Sequence, residues 1–536
     1  MGILSCAIIK GKCERNSQMK IVNIFLFAFL VGFTPSILSA GTFNWAGGGE
    51  DTKWSNPANW SENAAPAAKE DICVFNVAED LETDFDLKVS PVIEKRGAGK
   101  FTLGGEEKYN NTVNTGSLFL YEGSIDLGGG TAKAYQPSRY ADAVIGGNTS
   151  IDNGTVTYDG ASINGEYGQS AGCLAFKEGV FKIGKNANFT IAKTIFSFSS
   201  DASEVTGQRT LLVDGGKLTV NGSSYVIGVD EDWTKAAVLD IRNGAQVTFG
   251  NPLIVGARFS TLSSKKAAGF LRVNDSTFSG GNWFRLTVAN ECETQGSRAV
   301  AAFTNSVVTI EGRDGLGIEV NNFARSHSDT HLIFNNTTAT LCGLSVRARE
   351  YKGGAEIEGR RTEDGRIWTG VMTLDNAILK PKATTAQFIY NDSSFNPTVE
   401  LLAGGGIIDT EVDVTVPAVA FGPGGWTKRG SGKLVLSGAN LYRGATRVEK
   451  GILELTGSVA GAVEVIGADF SATQSSTPFR LVVNGGSASF NSIEPAIVDT
   501  LTVGENGGTL SFFVKGFTIT PEYACLGPLQ RCLCHT

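Results

Sequence analysis

A strand, a polar turn pair and a second strand recur along this chain at nearly constant intervals. The unit appears as SLFLYEGSIDL around Glu122-Gly123, SIDNGTVTY around Asn153-Gly154, FKIGKNANFTI around Asn186, LLVDGGKLTV around Asp214 and LDIRNGAQVTF around Asn243. It continues as LRVNDSTFS around Asn274, AAFTNSVVTI around Asn305, LIFNNTTATL around Asn335 and VMTLDNAIL around Asp375. Counted from Glu122, the steps are 31, 33, 28, 29, 31, 31, 30 and 40 residues. Strand side chains alternate in direction, and Asn, Asp and Gly tolerate the positive φ of a tight turn. A unit of roughly 30 residues cannot bury its inner face alone, so it must stack on its copies and pair strand with strand along one axis. The expected fold is therefore all-β: a right-handed parallel β-helix, a solenoid of about 30-residue coils with three short strands each. A string of β-sandwiches would instead show a period of about 100 residues with linkers. The Asn pairs at Asn335-Asn336 and Asn321-Asn322 are expected either as stacked amide ladders inside turns or as solvated turns.

Composition agrees with strands and turns. Gly makes up 67 of 536 residues against only 14 Pro, and the runs between glycines are Val, Ile, Thr and Phe. The net charge is −8 and no basic stripe is present, which argues against nucleic-acid binding. Nine cysteines are scattered without a pair of CxxC motifs, so a zinc ribbon is not expected. Cys73, Cys173, Cys292 and Cys342 read as buried thiols or occasional bridges. Residues Ile21–Phe33 form an apolar core behind Met19-Lys20 and end near small residues at Ala40, the pattern of an export signal over 1–40, with Met19 as an alternative start. An uncleaved anchor is the alternative. No later stretch is long and apolar enough to cross a membrane as a helix.

The segment GGWTKRGSGKLVLSGANLYRGATRVEKGILEL, residues 424–455, resembles the autotransporter-associated β-strand repeat. The pattern is carried by Trp426, Lys428, Gly430, Gly432, Leu434, Leu436, Gly438, Asn440, Tyr442, Gly444, Thr446, Val448, Gly451 and Leu453. The resemblance implies the passenger region of a secreted or surface bacterial protein. A second stretch, TFNWAGGGEDTKWSNPANWSENAAPAAKEDICVFN, is similar to the N-terminal motif of large exported repeat proteins. Trp45, Trp54 and Trp60 are expected to close the open end of the solenoid, with a carbohydrate-stacking platform as the alternative. The division expected is 41–76 cap, 77–420 coils, 421–456 repeat and 457–520 terminal coils. The tail 521–536 is expected to be irregular; it ends PEYACLGPLQRCLCHT, where a classical autotransporter has a membrane barrel. That departure points to release as a soluble product or to a truncated or frame-shifted gene.

Parallel β-helices also host polysaccharide lyases and glycosidases, which require acids facing each other across a groove. Asp314, Glu363 and Asp364 are candidates without any pattern that brings them together. His327 and His331 in HSDTH lie about 13 Å apart if the segment is a strand, too far to share a metal, and His535 is in the tail. Neither a metal nor a cofactor is expected. The 40-residue step places an insertion before Asp375, and insertions in a solenoid project from one face. Its Arg347, Arg349, Tyr351, Lys352, Arg360, Arg361, Arg366 and Trp368 are the candidate ligand-binding residues, suited to glycans or surface proteins. The function expected is a non-catalytic exported scaffold for adhesion or surface presentation; the alternative is a secreted polysaccharide lyase or glycoside hydrolase.

Overall fold

The computed structural model describes residues 40–512 except 69, 88, 90, 105–112, 116–117, 127–142, 146–147, 159–172, 177–178, 192–194, 198–208, 223, 227–228, 231–235, 257–265, 283, 289–296, 313–314, 323–327, 349–368, 392–397, 474–478 and 491–497. The expected export signal and the tail 521–536 lie outside the described residues.

The described residues form a parallel β-helix. In its middle, each coil contributes one strand to each of three faces. Arg209–Asp214, Lys217–Val220 and Ser224–Val226 make one coil, and Ala237–Arg242, Gln246–Phe249 and Leu253–Gly256 make the next. Each strand pairs in parallel with its copy in the following coil, as Leu211 with Leu239, Leu218 with Val247 and Ser224 with Leu253. The short ladder of Val229–Asp230 with Lys266–Ala267 is antiparallel. Two-residue alternation then aligns one apolar column inside each face. On the first face, Phe181, Leu211, Leu239, Leu271, Ala301, Leu332 and Met372 stack in register and are buried. Phe189, Leu218, Val247, Phe278, Val308, Ala339 and Leu379 do so on the second face. Leu253, Phe284, Ile318, Leu344 and Ile389 do so on the third. Each Val, Leu, Ile, Phe or Met among them contributes about 1.5–3 kcal/mol by leaving water, and only the stack provides the opposing wall.

The corner between the first and second faces is where the polar turn pairs fall. Asn243, Asp275, Asn305, Asn336 and Asn376 all have positive φ, between 46° and 60°. The turn residue in three of these corners is thus one position later than the periodicity suggested: Asp275, Asn336 and Asn376, not Asn274, Asn335 and Asp375. Their amides stack: Asn336 Nδ2 donates to Asn305 Oδ1 at 2.7 Å, and Asn376 Nδ2 donates to Asn336 Oδ1 at 2.9 Å. A ladder of turn amides therefore exists at Asn305, Asn336 and Asn376, while Asn321-Asn322 ends a strand, Ile318–Asn322, and is no turn. Two of the expected turns are also absent as breaks. Thr149–Tyr158 and Gly179–Ile191 run through Asn153 and Asn186 as single strands, with a register shift between Ile151 and Asn153. A bulge bends the chain there while keeping the ladder bonds on both sides.

Asn336→Ala should test the ladder. Alanine at this φ costs about 1–2 kcal/mol, and two amide bonds are lost, so the amides of Asn305 and Asn336 should exchange with solvent about tenfold faster or more. Asn336→Gly keeps the backbone comfortable and should show only the ladder's smaller share.

The coil length is not uniform. Steps near 30 residues hold from about Thr149 to Val399, but register partners sit closer at both ends: Ile72 with Val92, Leu81 with Phe101, Gly406 with Trp426, Thr446 with Val463 and Val463 with Leu481. These coils of 17 to 20 residues correct the expectation of a constant 30-residue repeat. Their corners include glycines in backbone contact. A Cβ on Gly424 would lie 1.9 Å from the Leu402 carbonyl oxygen, and one on Gly425 would lie 2.0 Å from that of Ala445.

The N-terminal end is closed by aromatics. Trp54 and Trp60 are buried, and Trp45 is partly buried against them. Trp54 Nε1 donates to Thr83 Oγ1 and Trp60 Nε1 donates to the Trp54 carbonyl, both at 2.8 Å. Trp45 meets Trp60 edge-on at 5.1 Å, Trp54 lies 4.8 Å from Phe75, and Phe75 stacks on Phe101 at 4.1 Å. The rings of Trp54 and Trp60 close the core column at this end.

Candidate functional site

The insertion expected to carry ligand contacts leaves the third face after the strand Leu344–Ala348 and re-enters the first face at Thr369. Arg347 belongs to that strand, in register with Asn321. Arg349, Tyr351, Lys352, Arg360, Arg361, Arg366 and Trp368 lie outside the described residues, as do Asp314, Glu363, Asp364, His327 and His535. The stack is undisturbed by the longer step: Asp329–Asn335 pairs residue for residue with Thr369–Asp375.

Beside the re-entry point, three consecutive coils place polar side chains in contact. Leu332, Met372 and Val399 point inward, so His331, Thr373 and Glu400 point outward on the same face. Thr373 Oγ1 donates to Glu400 Oε2 at 2.9 Å and lies 2.7 Å from His331 Nε2. With its proton given to the carboxylate, the hydroxyl accepts from His331 Nε2–H, which fixes the tautomer at that nitrogen. The three side chains thus satisfy one another in a fixed row across three coils. Sequence reasoning passed over it because Thr373 and Glu400 are joined to His331 only through register.

Elsewhere, acids and bases of neighbouring coils pair with one another. Arg429 Nε meets Glu449 Oε2 at 2.6 Å, Arg447 Nε meets Glu464 Oε2 at 2.9 Å, Lys433 Nζ meets Glu454 Oε2 at 3.0 Å, and Arg285 Nε meets Glu319 Oε2 at 2.6 Å. The first three, at the surface, are worth roughly 0–1 kcal/mol each, whereas Glu319 of the last pair is buried. Among the described residues, no group of three or more His, Cys, Asp or Glu is placed to hold a metal ion. Likewise, no described helix is long and apolar enough to cross a membrane.

The most specific constellation of the short coils is a buried lysine at a corner. Lys428 sits in the core column of the second face between Ile408 and Val448, and is fully buried. Its ammonium donates to three backbone carbonyls: Arg429 at 2.6 Å, Gly430 at 2.7 Å and Lys450 at 3.0 Å. Gly430 and Gly451, with φ of 76° and 73°, turn those carbonyls toward it. Near the other end of the solenoid, Lys95 does the same. It is fully buried between Phe75 and Leu120 and donates to the carbonyls of Arg96, Gly97 and Glu122. The surroundings match in detail. Val77 N–H and Thr410 N–H donate to the Arg96 and Arg429 carbonyls, and Asp80 and Asp413 accept from the backbone N–H of Lys100 and Lys433. The shared string is KRGAGK at 95–100 and KRGSGK at 428–433. Sequence reading used only the second copy; direct comparison of these six-residue strings would have found the first.

Burial pulls the Lys428 ammonium down to about 8 against the attraction of Asp409 and Glu411. An unfolded lysine titrates near 10.4. Between pH 8 and about 10.4 the unfolded chain therefore binds more protons, so this lysine's contribution to stability rises with pH across that window and is flat below it. The ratio of the Thr410 N–H exchange protection factors of the wild type and Lys428→Met should increase from pH 8 to pH 10; a constant ratio would contradict the shift.

Stacked parallel coils with an aromatic lid and lysine-anchored corners define a parallel β-helix. Residues 427–455, which contain the second lysine corner, match the family model described as passenger-associated-transport-repeat. No curated protein and no solved structure matches the chain.

Proposed function

We propose that this protein is an exported, surface-presented scaffold whose rigid solenoid holds adhesive loops away from the cell. The observation that carries this reading is the passenger-type repeat at 427–455 built into one continuous parallel ladder. A rod with loops at intervals gains binding strength by multivalency, since each further contact is intramolecular. The insertion at 349–368 is the contact segment in this reading: Arg349, Arg360, Arg361 and Arg366 engage carboxylates or sulfates, with Tyr351 and Trp368 stacking on sugar rings. Lys352 and Arg347 add to the positive charge of this segment in sequence. Weighing against polysaccharide cleavage, Glu400 is held by Thr373, and Glu449, Glu454 and Glu464 face arginine or lysine, not a second acid.

The test displays the full chain on cells or beads and screens acidic glycans, matrix proteins and cell surfaces. Binding should fall at least tenfold when 349–368 is replaced by a short Gly-Ser linker, with the circular dichroism of the stack unchanged. Binding to nothing, or binding unaffected by the replacement, would remove the basis for this reading.

A further inference from the structure

We propose, resting on the export argued above, that the chain is cut between Ala40 and Gly41 and that the Gly41 ammonium so released docks on Asp71. Asp71 is buried, with 6% of its surface exposed. Its Oδ1 accepts from the Gly41 N–H at 2.9 Å, and its Oδ2 accepts from the Ala67 and Ala68 N–H groups, both at 2.8 Å. Burial works against the charge, but the three donors outweigh it and hold the carboxyl below its usual value, so Asp71 is an anion at neutral pH. The Ile72 N–H donates to the Gly41 carbonyl at 2.8 Å, and Thr42–Asn44 runs on from there in parallel with Ile72–Val74. Both polar groups of Gly41 are thus fixed before the first strand begins, while Ala40 is exposed. The position is also closed to a side chain: a Cβ on Gly41 would lie 2.6 Å from Phe43 Cε2.

The apolar stretch Ile21–Phe33 ends seven residues before this bond, and Ser39, Ala40 and Gly41 are the small residues that an export peptidase requires. The compact body of the chain begins at Ala40. A cut after Ser39 would place the ammonium on Ala40, one residue short of the carboxylate. A cut after Gly41 would take away the donor to Asp71 Oδ1 and the acceptor of the Ile72 N–H. Only the bond between Ala40 and Gly41 delivers the charge to Asp71 and keeps both contacts. A peptidase of the leader-cleaving class adds water across it: the hydroxyl goes to the Ala40 carbonyl carbon, the C–N bond breaks, and the Gly41 nitrogen takes the proton. The new α-amine, with an ordinary pKa of about 7.7–8.0, takes a second proton from solvent, and the adjacent carboxylate favours that form. A neutral N–H donor to Asp71 becomes a charge-assisted one at the same place, with no atom of the fold required to move. The end coil under the tryptophan lid gains this tie only once the leader is gone.

The experiment exports the full chain from a bacterial host and measures the intact mass, which should correspond to a product that starts at Gly41. Ala40→Phe puts a bulky side chain at an exposed position where the peptidase needs a small one, and should keep the leader. With both proteins in the same detergent, the Ile72 and Trp45 amides should exchange about tenfold slower in the processed chain than in Ala40→Phe. In an Asp71→Asn background the processed and uncleaved forms should exchange alike, because the ammonium then has no carboxylate to meet. A carboxylate that only caps backbone N–H groups would leave the ratio the same in both backgrounds, and that result would overturn the proposal. An exported product that starts at another residue would overturn the cut and leave export standing, whereas a chain that is not exported would remove both. Should Asp71→Asn not fold, equal exchange in the wild type and Ala40→Phe is the overturning result.

Discussion

Lys428→Met is expected to loosen the short coils by about 3 kcal/mol. Methionine fills much of the same volume, so the packing between Ile408 and Val448 is retained and the change isolates the ammonium. Of its three acceptors, the Arg429 carbonyl keeps the N–H of Thr410. The Gly430 and Lys450 carbonyls lose the lysine in a buried corner, and a buried polar group left unsatisfied costs about 1–3 kcal/mol. The gain from no longer burying a charge offsets part of this, so the net stays near the lower half of the summed range. Stacked repeats do not unfold as one unit, so the readout is hydrogen exchange at the amides of Thr410, Gly432 and Glu449, which bond across this corner. They should exchange on the order of a hundredfold faster, with the coils around Leu211 unchanged. Lys95→Met should have the same effect at Val77, Gly99 and Tyr121, since the same bonds are present. A loss at one corner without the other would show that the two strings are alike only in sequence.

The second large effect is at the lid. Trp54→Ala removes a fully buried ring that touches Trp60, Phe75, Phe85 and Phe101, and leaves the Thr83 hydroxyl without its indole donor. Truncation of a buried tryptophan costs about 3–5 kcal/mol. Because an end coil has a neighbour on one side only, the loss should be felt as fraying of Thr42–Asn44, Ile72–Asn76 and Val92–Arg96 before anything else unfolds. The predicted signature is dye binding to the exposed core column, faster proteolysis confined to that end, and normal protection beyond Phe181. Trp45→Ala, which removes a ring only partly buried, should cost less. If Trp54→Ala melts with the wild type, the ring is not the lid.

Other features were legible to different degrees. The inward columns could be read from alternation alone, because Leu211, Leu239 and Leu271 each sit at the same place in a local strand-turn-strand pattern. The turn residues were read one position early in three corners, because Asn335 and Asn336 have the same chemistry and only the backbone tells which takes the positive φ. The merging of strands at Asn153 and Asn186 was not visible, since a bulge and a turn use the same residue types. The candidate insertion was located by its spacing, and the structure places its two ends at Ala348 and Thr369 while its binding residues remain a proposal.

What the sequence determined by itself is everything that repeats within a coil: parallel stacking, which side of each strand is buried, the glycine corners and the tryptophan lid. These follow from local periodicity and from the inability of one coil to bury its own face. What only the tertiary structure decided is every contact between coils. His331 reaches Thr373, Thr373 reaches Glu400, Asn336 bridges Asn305 and Asn376, and Lys428 reaches Lys450 because loops of different length return each strand to one register. Arg209 is buried for the same reason: strand alternation turns it inward, and its register partners Gly179 and Ala237 come from about 30 positions away. Steps that vary from 17 to 40 residues along the chain cannot be summed from composition; hydrogen bonding along the ladder sets the register, and the register chooses the partners.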